Sequence, residues 1–461
     1  MTVTAVLDIG KTNVKLYAVG PDGVPLETLS TPNASLDGPP WRHHDLAGIE
    51  AWLLAALTDL ASRHDIDAIV PCAHGGAGVL VGEDGPILPM IDYEQAPPAA
   101  VDAAYHAEAD GFRERGGSLM MLGACHAARQ LLWMETTHPE AFARARAFLH
   151  TPQYWSWRLS GVMADEVTSA AAQSHLWCSP DRRRSAIVAR RGWDRLLPPM
   201  RPAWTALGTL RPEIAARTGL SPSTRVISGI HDSSANFYRY QAAGLTDFTV
   251  ISTGTWIVAL TDRGGVDFDT PRPGVSCNAA VDGAPVPGML AMGGREFAAV
   301  AGGGRGPADR ATLDRLVQRG AVALPCFGDD EGLFPGRARR GRIEGVDTPE
   351  ERFTLAVLYA TLLTAEILDA LPPAATVVLD GNFVRDPLYG ALVQALQPGA
   401  RVLVNPDSLG LATGAALLAR HETRGAPAPL PLVTPDMTGL PDLAQYRARW
   451  RDRIHSLETQ P

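Results

Sequence analysis

Val226-Ile-Ser-Gly-Ile-His231-Asp232-Ser233-Ser234 is an apolar run that ends in His-Asp, and after a short helical run comes Val250-Ile-Ser252-Thr253-Gly254-Thr255-Trp256. The first segment predicts a strand that delivers a carboxylate at its end. The second predicts a strand followed by a glycine-opened, hydroxyl-lined turn whose backbone N–H groups can hold a phosphate. A base beside a phosphate-binding turn is the arrangement that transfer of a phosphoryl group to a hydroxyl requires.

The N-terminus repeats this order of elements. Residues 3–9 form an apolar run, Gly10-Lys11-Thr12-Asn13 makes a turn, and residues 14–19 and 25–29 predict two more strands. This is an antiparallel meander rather than the strand–loop–helix of a P-loop, and GxxxxGK[ST] does not occur in the sequence. We interpret the repeat as an internal duplication, which predicts an α/β protein with two related domains facing each other across a cleft. Coincidence between two short segments is the alternative.

Further apolar patterns predict the remaining elements. Helices are expected over 49–63, 98–108, 118–135, 139–147, 153–159, 387–396 and 414–419, and strands over 66–70, 226–230, 376–379 and 401–404. The change of pattern at Arg225 places the domain boundary between 224 and 225, which gives domains of 1–224 and 225–461. The tail, 436–461, is expected to return over the first domain.

Composition narrows the classes of partner. The 461 residues are 46% hydrophobic and 20% charged, with a net charge of -9 and no basic stripe, which argues against a nucleic acid or an anionic membrane as partner. Five scattered cysteines without CxxC spacing indicate reduced thiols rather than a zinc site. No signal peptide and no apolar run of membrane-spanning length are recognised, so a cytoplasmic location is expected.

Four motifs, in this order, resemble those of the FGGY family of carbohydrate kinases. They are Asp8-Ile-Gly10-Lys-Thr12-Asn13-Val-Lys15, Gly229-Ile-His231-Asp232, Ser252-Thr-Gly-Thr-Trp256, and Asp380-Gly381-Asn382 together with Gly414-Ala-Ala. The resemblance extends over essentially the whole chain and implies two actin-like (ribonuclease H-like) nucleotide-binding domains. The His-Asp pair and Ser-Thr-Gly-Thr-Trp are most similar to the branch of rhamnulose and fuculose kinases.

Two departures from the family leave the sugar open. The adenosine motif has a single glycine, Gly381, where the family usually has two or three consecutive glycines. Residues 73–76 lack both the Gln-Met-His of xylulose kinases and the Arg-Glu of glycerol kinases.

The resemblance implies a general base, and the residue type agrees. Asp232 would take the proton of the sugar hydroxyl that attacks the γ-phosphate, because a carboxylate at a strand end in a closed cleft is a suitable acceptor. The alternative is a helix N-cap preceding Ser233 and Ser234, and the two roles are compatible.

The other implied roles follow the motifs. Sugar contacts are expected from His74, Gly75, His231, Asp232 and Ser233; phosphate contacts from Gly10, Thr12, Asn13, Lys15, Thr253, Gly254 and Thr255; adenosine contacts from Gly381, Gly414 and Ala415; and Mg²⁺ ligands from Asp8 and Asp232. Several alternatives stay open. The second phosphate turn could be an ordinary hairpin, Gly414 could serve close helix–strand packing, and His74 could be a surface residue at a strand end.

Two more polar residues, Gln153 and Glu166, lie where family members carry polar groups near the cleft, with local capping as the alternative. Lys11 is expected to be solvated.

The resulting prediction is ATP- and Mg²⁺-dependent phosphorylation of a small sugar, such as a rhamnulose- or fuculose-like deoxyketose. A kinase for a polyol or another small substrate, and a catalytically silent sugar-binding regulator, are the alternatives. The expected partner is a small sugar, and the sequence leaves the choice between a monomer and a homodimer open.

Overall fold

The computed structural model describes residues 2–329, 332–407, 410–425 and 430–458. The chain forms two compact units. The first contains Met1–Leu245, Cys277–Pro285 and Leu409–Pro429, and the second contains Thr246–Ser276, Val286–Ser408 and Leu430–Pro461. The main boundary therefore falls at 245/246 rather than at 224/225, because the helix that follows the His-Asp pair remains part of the first unit.

Both units combine strands with helices. In chain order, the strands are β1 (Thr2–Ile9), β2 (Asn13–Val19), β3 (Pro25–Pro32), β4 (Ser35–Leu36), β5 (His43–His44), β6 (Asp65–Ala73), β7 (Gly78–Val81), β8 (Ala147–His150), β9 (Trp177–Cys178), β10 (Arg183–Arg184), β11 (Ala206–Thr209), β12 (Arg225–Ile227), β13 (Ile230–His231), β14 (Phe248–Thr253), β15 (Ile257–Thr261), β16 (Val275–Ala279), β17 (Pro285–Ala291), β18 (Val322–Leu324), β19 (Arg342–Glu344), β20 (Thr376–Gly381) and β21 (Arg401–Val404). The α-helices are α1 (Leu46–Ala61), α2 (Ala99–Glu108), α3 (Ala127–Thr137), α4 (Pro139–Ala143), α5 (Thr151–Ser160), α6 (Val167–Ala171), α7 (Ala186–Arg190), α8 (Pro212–Thr218), α9 (Asp232–Ala242), α10 (Gly293–Ala301), α11 (Arg310–Arg319), α12 (Pro349–Ala370), α13 (Pro387–Leu396), α14 (Gly410–Leu418) and α15 (Ala444–Glu458).

Five strands of each large sheet follow the same order, while β11 extends the first sheet beyond β12 and β16 extends the second beyond β17. The first has the order β11-β12-β6-β1-β2-β3, with β13 also paired to β6, and the second has the order β16-β17-β15-β14-β20-β21. In the first, β1, β2 and β3 are antiparallel, and β6 adds parallel to β1. In the second, β14, β15 and β17 are antiparallel, and β20 adds parallel to β14. The shared order supports the duplication and confirms two actin-like α/β domains.

The turns after the first strand of each sheet are also alike. The N–H of Gly10 donates to the Asn13 carbonyl at 3.0 Å, and the N–H of Gly254 donates to the Trp256 carbonyl at 2.8 Å. Both turns connect antiparallel strands, as the sequence predicted, and the structure places them at the edge where the parallel strands end.

The faces of β1 follow its alternating pattern. Ala5 and Leu7 pack in the core that includes α1, whereas Val6 packs in the core that includes Ala235 of α9 and Ala415 of α14. Because successive side chains on a strand point to opposite faces, Asp8 lies on the face of Val6. This is the face that α9 and α14 cover.

The structure corrects the prediction for 118–135, where the helix begins only at Ala127. Gly123 has a φ of +65°, and the buried Arg129 donates to the carbonyls of Met121 and Gly123. The Arg129 side chain of this helix therefore supplies the hydrogen bonds to the preceding backbone, which is not helical.

Two further predicted elements are interrupted. The helix expected over 139–147 ends at Ala143, and Ala147–His150 pairs instead with Gly78–Val81 as a strand. The strand expected over 226–230 is split at Ser228–Gly229, and Gly229 has a φ of +91°.

The prediction for the tail is wrong. Helix α15 belongs to the second unit, where the Tyr446 hydroxyl donates to the Ala321 carbonyl and Trp450 Nε1 to the Ala323 carbonyl, each at 2.8 Å. These side chains are four residues apart on one helix face, and both are buried. The two rings therefore pack the helix against β18, and the hydroxyl and the indole N–H both have hydrogen-bond acceptors.

No apolar run long enough to span a membrane is expected from the sequence, and helix α12 is an exception. Among the helices of the described residues, it passes that test by length and composition, but 72% of its apolar window is buried. Leu355, Leu358 and Leu362 are almost fully buried. The helix is thus accounted for as a core helix of the second unit.

Candidate active site

Three parallel strands of the first unit end side by side and carry polar residues there. Asp8 of β1 and Ile230 of β13 both pair with Cys72 of β6, and His231 pairs with Ala73. In sheets of this kind, ligands bind outside the carboxyl ends of the strands. The sequence around Gly10, His74 and Asp232 follows these ends directly.

The Asp8 carboxyl is buried at this edge, with 8% of the residue exposed. Lys15 lies opposite it on β2. Burial and, to a lesser extent, the charge of Asp232 raise the pKa of Asp8 to about 7, while Lys15 acts in the opposite direction. The two carboxyl groups therefore interact, so the fold brings positions 8 and 232 close together at one sheet edge.

Asp232 is the first residue of α9, while His231 occupies the N-cap position. Its Oδ1 accepts from the Ser233 N–H at 2.5 Å and lies 3.0 Å from His231 Nε2. An N-cap carboxylate would instead reach the N–H two or three residues ahead. The side chain is 28% exposed, so the carboxylate is fixed through Oδ1 and still reaches solvent.

The ring of His231 is itself held in place. Nδ1 lies 3.3 Å from the Ser234 hydroxyl, and 5% of the residue is exposed. Burial lowers the pKa of His231, although Asp232 acts against this shift. A buried imidazole between two polar groups orients the carboxylate beside it.

A buried network supports the His-Asp segment from α6. The Glu166 carboxylate accepts from the N–H groups of Thr168 and Ser169, at 2.9 and 3.0 Å, and therefore caps this helix. The Thr168 hydroxyl donates to Glu166 at 2.6 Å and accepts from the His231 N–H at 3.1 Å. Glu166 therefore has the local capping role that the sequence offered as the alternative. Through Thr168, the same carboxylate also helps to hold the backbone of His231.

Gln153 supports the same segment from α5. Its Nε2 donates to the Ser228 carbonyl at 3.0 Å, at the break between β12 and β13. At Gly229, a Cβ would lie 2.7 Å from the Pro71 carbonyl oxygen. Glycine therefore lets the chain approach β6 before it turns into His231.

The first turn predicted to bind phosphate is held by a residue that the sequence patterns did not reveal. Asn33 donates through Nδ2 to the Gly10 carbonyl at 2.7 Å, and its N–H donates to the Thr12 carbonyl at 2.9 Å. The side chains of Thr12 and Asn13 are exposed, with Asn13 Nδ2 3.2 Å from the Thr12 hydroxyl. Both side chains can reorient towards a ligand without disrupting the backbone hydrogen bonds that hold the turn.

Lys11 is not solvated as expected. Its ammonium is ion-paired with the buried Asp92 and lies 5.2 Å from the centre of the Tyr93 ring. Asp92 also accepts from Ser35 and faces Arg42. Because these partners are far away in sequence, no local motif could have indicated them.

His74 and Gly75 lie close to the His-Asp pair. A Cβ at Gly75 would lie 2.6 Å from that of Ala172 and 3.2 Å from the His231 ring, so only glycine permits this approach. His74 is buried rather than on the surface at a strand end. Burial lowers its pKa, while the nearby Asp232 opposes this.

The second turn predicted to bind phosphate lies in the other unit. The Thr253 hydroxyl donates to the Asp380 carbonyl at 2.8 Å and accepts from the Phe383 N–H at 3.0 Å. Gly381, with a φ of +92°, is packed so closely that a Cβ would lie 2.1 Å from the Thr253 carbonyl oxygen. The Thr253 side chain thus joins the ends of β14 and β20.

The exposed part of this turn is Gly254 and Thr255. Among the residues that the structure describes, none other than its chain neighbours lies within 4 Å of a Cβ built on Gly254, and Thr255 is exposed. Helix α10 begins against this turn, since a Cβ at Gly294 would lie 2.2 Å from the Gly254 carbonyl oxygen. The fold thus brings Thr253, Gly254, Thr255 and Gly381 together at one sheet edge.

Gly414 and Ala415 lie in α14 of the first unit. A Cβ at Gly414 would lie 1.9 Å from the Ala235 carbonyl oxygen, and Ala415 is fully buried. Close packing against helix α9, rather than against a strand, therefore accounts for Gly414, and Ala415 lies in the hydrophobic core. Their contact with adenosine stays a prediction.

The carboxyl pair suits the metal that the sequence implies. Asp8 and Asp232 supply hard oxygen atoms, the ligands that Mg²⁺ prefers. Their mutual effect on the pKa of Asp8 is the kind of repulsion that a divalent cation relieves. The donor set therefore fits Mg²⁺.

Comparison with known proteins supports this picture. The model of the FGGY family of carbohydrate kinases, N-terminal domain, matches residues 3–237, and that of the carbohydrate kinase FGGY C-terminal domain matches residues 245–427. A carbohydrate kinase from Novosphingobium aromaticivorans is 30% identical, with a TM-score of 0.87 and 100% of both chains covered. A xylulose kinase from Lactobacillus acidophilus, 15% identical with a TM-score of 0.79 over 100% of this chain and 99% of its own, shares the fold.

Curated relatives match over part of their length. L-fuculokinase from Escherichia coli (strain K12) is 28% identical over 278 residues, which are 58% of this chain and 57% of the relative. L-fuculokinase from Salmonella typhi is 28% identical over 312 residues, or 64% and 65% of the two chains. The match thus spans less than two thirds of either relative. With both domain models matched in order, the chain belongs to the FGGY family of carbohydrate kinases.

Proposed function

We propose that this protein transfers the γ-phosphoryl group of ATP to a hydroxyl of a small sugar. The observation that carries the proposal is the pair Asp8 and Asp232, buried and half-buried carboxyl groups that interact at the carboxyl ends of neighbouring strands. In this reaction the bond between the γ-phosphorus and its bridging oxygen breaks, a bond to the sugar oxygen forms, and ADP leaves.

Asp232 is the proposed general base. Its Oδ1 is occupied by Ser233 and His231, which orients the carboxylate and leaves its other oxygen to accept the hydroxyl proton. General bases of this kind act through hydrogen bonds to the proton that they remove. The buried His231 fixes the geometry, and the anchor from Thr168 keeps the segment in register.

The phosphate-binding groups are proposed within each unit. In the first, the Gly10–Asn13 turn and Lys15 would contact phosphate oxygens; in the second, the Gly254 and Thr255 turn would do so, and Gly381 would border the adenosine. Asp8 and Asp232 would hold Mg²⁺, which when bound neutralises phosphate charge. Since the Thr253 hydroxyl is already engaged, its contribution would come from holding the turn in shape.

The proposed acceptor is a ketose, such as a fuculose- or rhamnulose-like deoxyketose. This rests on the identity to L-fuculokinases of 28% and on the His231–Asp232 segment. The reaction would take place in the cytoplasm on a free small molecule.

The test is a coupled assay of ADP release with ketoses and polyols, including L-fuculose, L-rhamnulose, D-xylulose and glycerol. We expect one or more ketoses to raise ADP release well above the rate without sugar, with formation of a sugar phosphate detected by mass spectrometry. Protein that binds ATP but gives no phosphorylated product with any member of the panel would contradict the proposal. If the protein phosphorylates glycerol in preference to every ketose, its substrate class is polyols rather than ketoses.

A further inference from the structure

Two histidines of the first unit lie together with one nitrogen of each unused. His44 and His74 are 3% and 8% exposed, and their ring centres are 5.7 Å apart. The Nε2 atom of each is buried and has no hydrogen-bond partner among the residues that the structure describes. An unpaired buried polar atom is unfavourable, so a ligand that satisfies both atoms would gain from binding there.

The proton on the His74 ring is placed by its neighbour. Nδ1 lies 3.1 Å from the Gly75 carbonyl oxygen, which can only accept a hydrogen bond. Nδ1 must therefore carry the proton, and Nε2 of the neutral ring carries a lone pair.

The same reasoning applies to His44 through Asn33. Because Asn33 donates through Nδ2 to the Gly10 carbonyl at 2.7 Å, its Oδ1 is the atom that faces His44 Nδ1, 3.4 Å away. Nδ1 of His44 is then the donor, and Nε2 is again an acceptor.

Both rings are neutral near pH 7. Burial lowers the pKa of His44 to about 3, with His74, Lys11 and His43 acting in the same direction and Asp92 against it. The pKa of His74 is also lowered by burial, as described above. The pair therefore presents two acceptors and no donor at Nε2.

The surroundings place this pair beside the reaction site. His74 follows β6, and its ring packs edge-on against Tyr93 at 5.2 Å. The next residue, Gly75, lies so close to His231 that a Cβ there would be 3.2 Å from the His231 ring, and Asp232 influences the His74 imidazole electrostatically. Asn33 joins His44 to the first phosphate turn.

We propose that His44 and His74 form a diol subsite that binds two hydroxyl groups of the sugar other than the one that is phosphorylated. Each imidazole Nε2 accepts one O–H, so the subsite selects a ligand that offers two donors close together, as ketoses and polyols do. The inference rests on the proposed function and deepens it by adding His44, which no sequence motif indicates.

The test compares His44→Leu and His74→Leu with His44→Gln, which keeps an acceptor, and with His43→Leu as the matched control. His43 precedes His44 in the same strand, but its Nδ1 lies 3.0 Å from the Trp41 carbonyl. We expect each of the two Leu variants to raise the KM for the best ketose by roughly 5- to 100-fold, the effect of losing a buried hydrogen bond. The KM for ATP, the sugar KM of His43→Leu and the melting temperature should change little.

A second measurement separates a binding role from a structural one. A ketose that lacks one of the two hydroxyls should bind wild type weakly. The leucine variant of the histidine that binds this hydroxyl, either His44→Leu or His74→Leu, should then cause no further loss of affinity for the deoxygenated sugar. Equal sensitivity to the substitutions with the complete and the deoxygenated sugar would overturn the subsite. So would a sugar KM within twofold of wild type in a folded His44→Leu protein.

Failure of the subsite and failure of the proposed function give different results. If no sugar is phosphorylated by wild type, the proposed function fails, and the subsite is judged by calorimetric binding of L-fuculose and D-xylulose to wild type and His44→Leu. Equal affinity, or no binding to either protein, would overturn it. Sugar binding that disappears on treatment with a chelator and returns with Zn²⁺ would assign the two nitrogens to a metal instead and would also overturn it.

Discussion

The main-chain N–H of His231 donates a hydrogen bond of 3.1 Å to the hydroxyl of Thr168. That hydroxyl donates in turn to the buried carboxylate of Glu166 at 2.6 Å. The residue before the proposed base is therefore held by a side chain 63 positions away along the chain. This contact makes Thr168 a positioning residue, which acts on the reaction through the backbone of its neighbour.

Replacement of Thr168 by valine should weaken both activity and stability. Valine keeps the shape but leaves the His231 N–H without its acceptor and removes one of the hydrogen bonds to Glu166, which costs about 1–3 kcal/mol of unfolding free energy. We expect kcat to fall by roughly 10-fold, because small displacements of catalytic groups slow reactions steeply. Denaturant unfolding and steady-state kinetics check this, with Thr168→Ser as the control that keeps the hydroxyl. An unchanged kcat in the valine protein would remove the positioning role.

Asp232→Asn should separate binding from turnover. The amide is nearly the same size but does not take a proton, so kcat should fall by about 10²–10⁴, the usual contribution of a general base. Because the phosphate turns are intact, the affinity for ATP should change far less, as measured by calorimetry or nucleotide fluorescence. Near-normal turnover in this variant would refute the assignment of Asp232.

The strand–turn–strand units were predictable because they are local. The β1–β2 and β14–β15 hairpins, with their Gly10 and Gly254 turns, are determined by apolar runs and glycines a few residues apart. Hence the fold class and most of the phosphate-turn residues follow from sequence. The motif at Asp232 was likewise readable, since His-Asp directly follows an apolar strand.

The supporting contacts were not predictable, because they depend on tertiary neighbours. Lys11 looked like a solvated turn residue until Asp92, 81 positions away, proved to be its partner. His44 lies in a two-residue strand whose pattern says nothing about His74. The prediction for the tail fails for the same reason. The carbonyls that accept hydrogen bonds from Tyr446 and Trp450 lie more than 120 positions earlier in the chain.

The contribution of Asp8 and Glu166 to the stability of the ligand-free protein should fall as pH rises from about 4 to about 7. Burial raises the pKa of both Asp8 and Glu166 to about 7 in the folded state, so the native state binds these protons more tightly than the unfolded chain does. Between the unfolded and folded pKa values, unfolding releases protons, and its free energy therefore decreases with pH. Buried histidines such as His44 and His231, whose pKa values are lowered, act in the opposite direction, so urea unfolding in EDTA from pH 4 to 8 has to be compared between wild type and a variant.

The Asp8→Asn variant isolates one of the two carboxyl groups. It should match wild type near pH 4 and exceed it at pH 8 by at most about 4 kcal/mol, the value of a shift of about three pKa units. Glu83→Gln, a change at a carboxylate whose side chain is 80% exposed, serves as the control. A difference between Asp8→Asn and wild type that is the same at every pH would contradict the buried charge as its cause.

Gly414→Ala distinguishes packing from nucleotide binding at the last motif. The added methyl group would lie 1.9 Å from the Ala235 carbonyl oxygen, so α14 and α9 must separate, and backbone cannot yield as a flexible side chain can. Overpacking of this kind costs about 1–3 kcal/mol or more, which should appear as a lower melting temperature. Since α9 begins at Asp232, the displacement should also lower kcat. Gly399→Ala, where a Cβ would meet nothing within 4 Å, is the matched control. If Gly414→Ala instead leaves stability unchanged and raises only the KM for ATP, the glycine serves the adenosine site, and packing does not explain it.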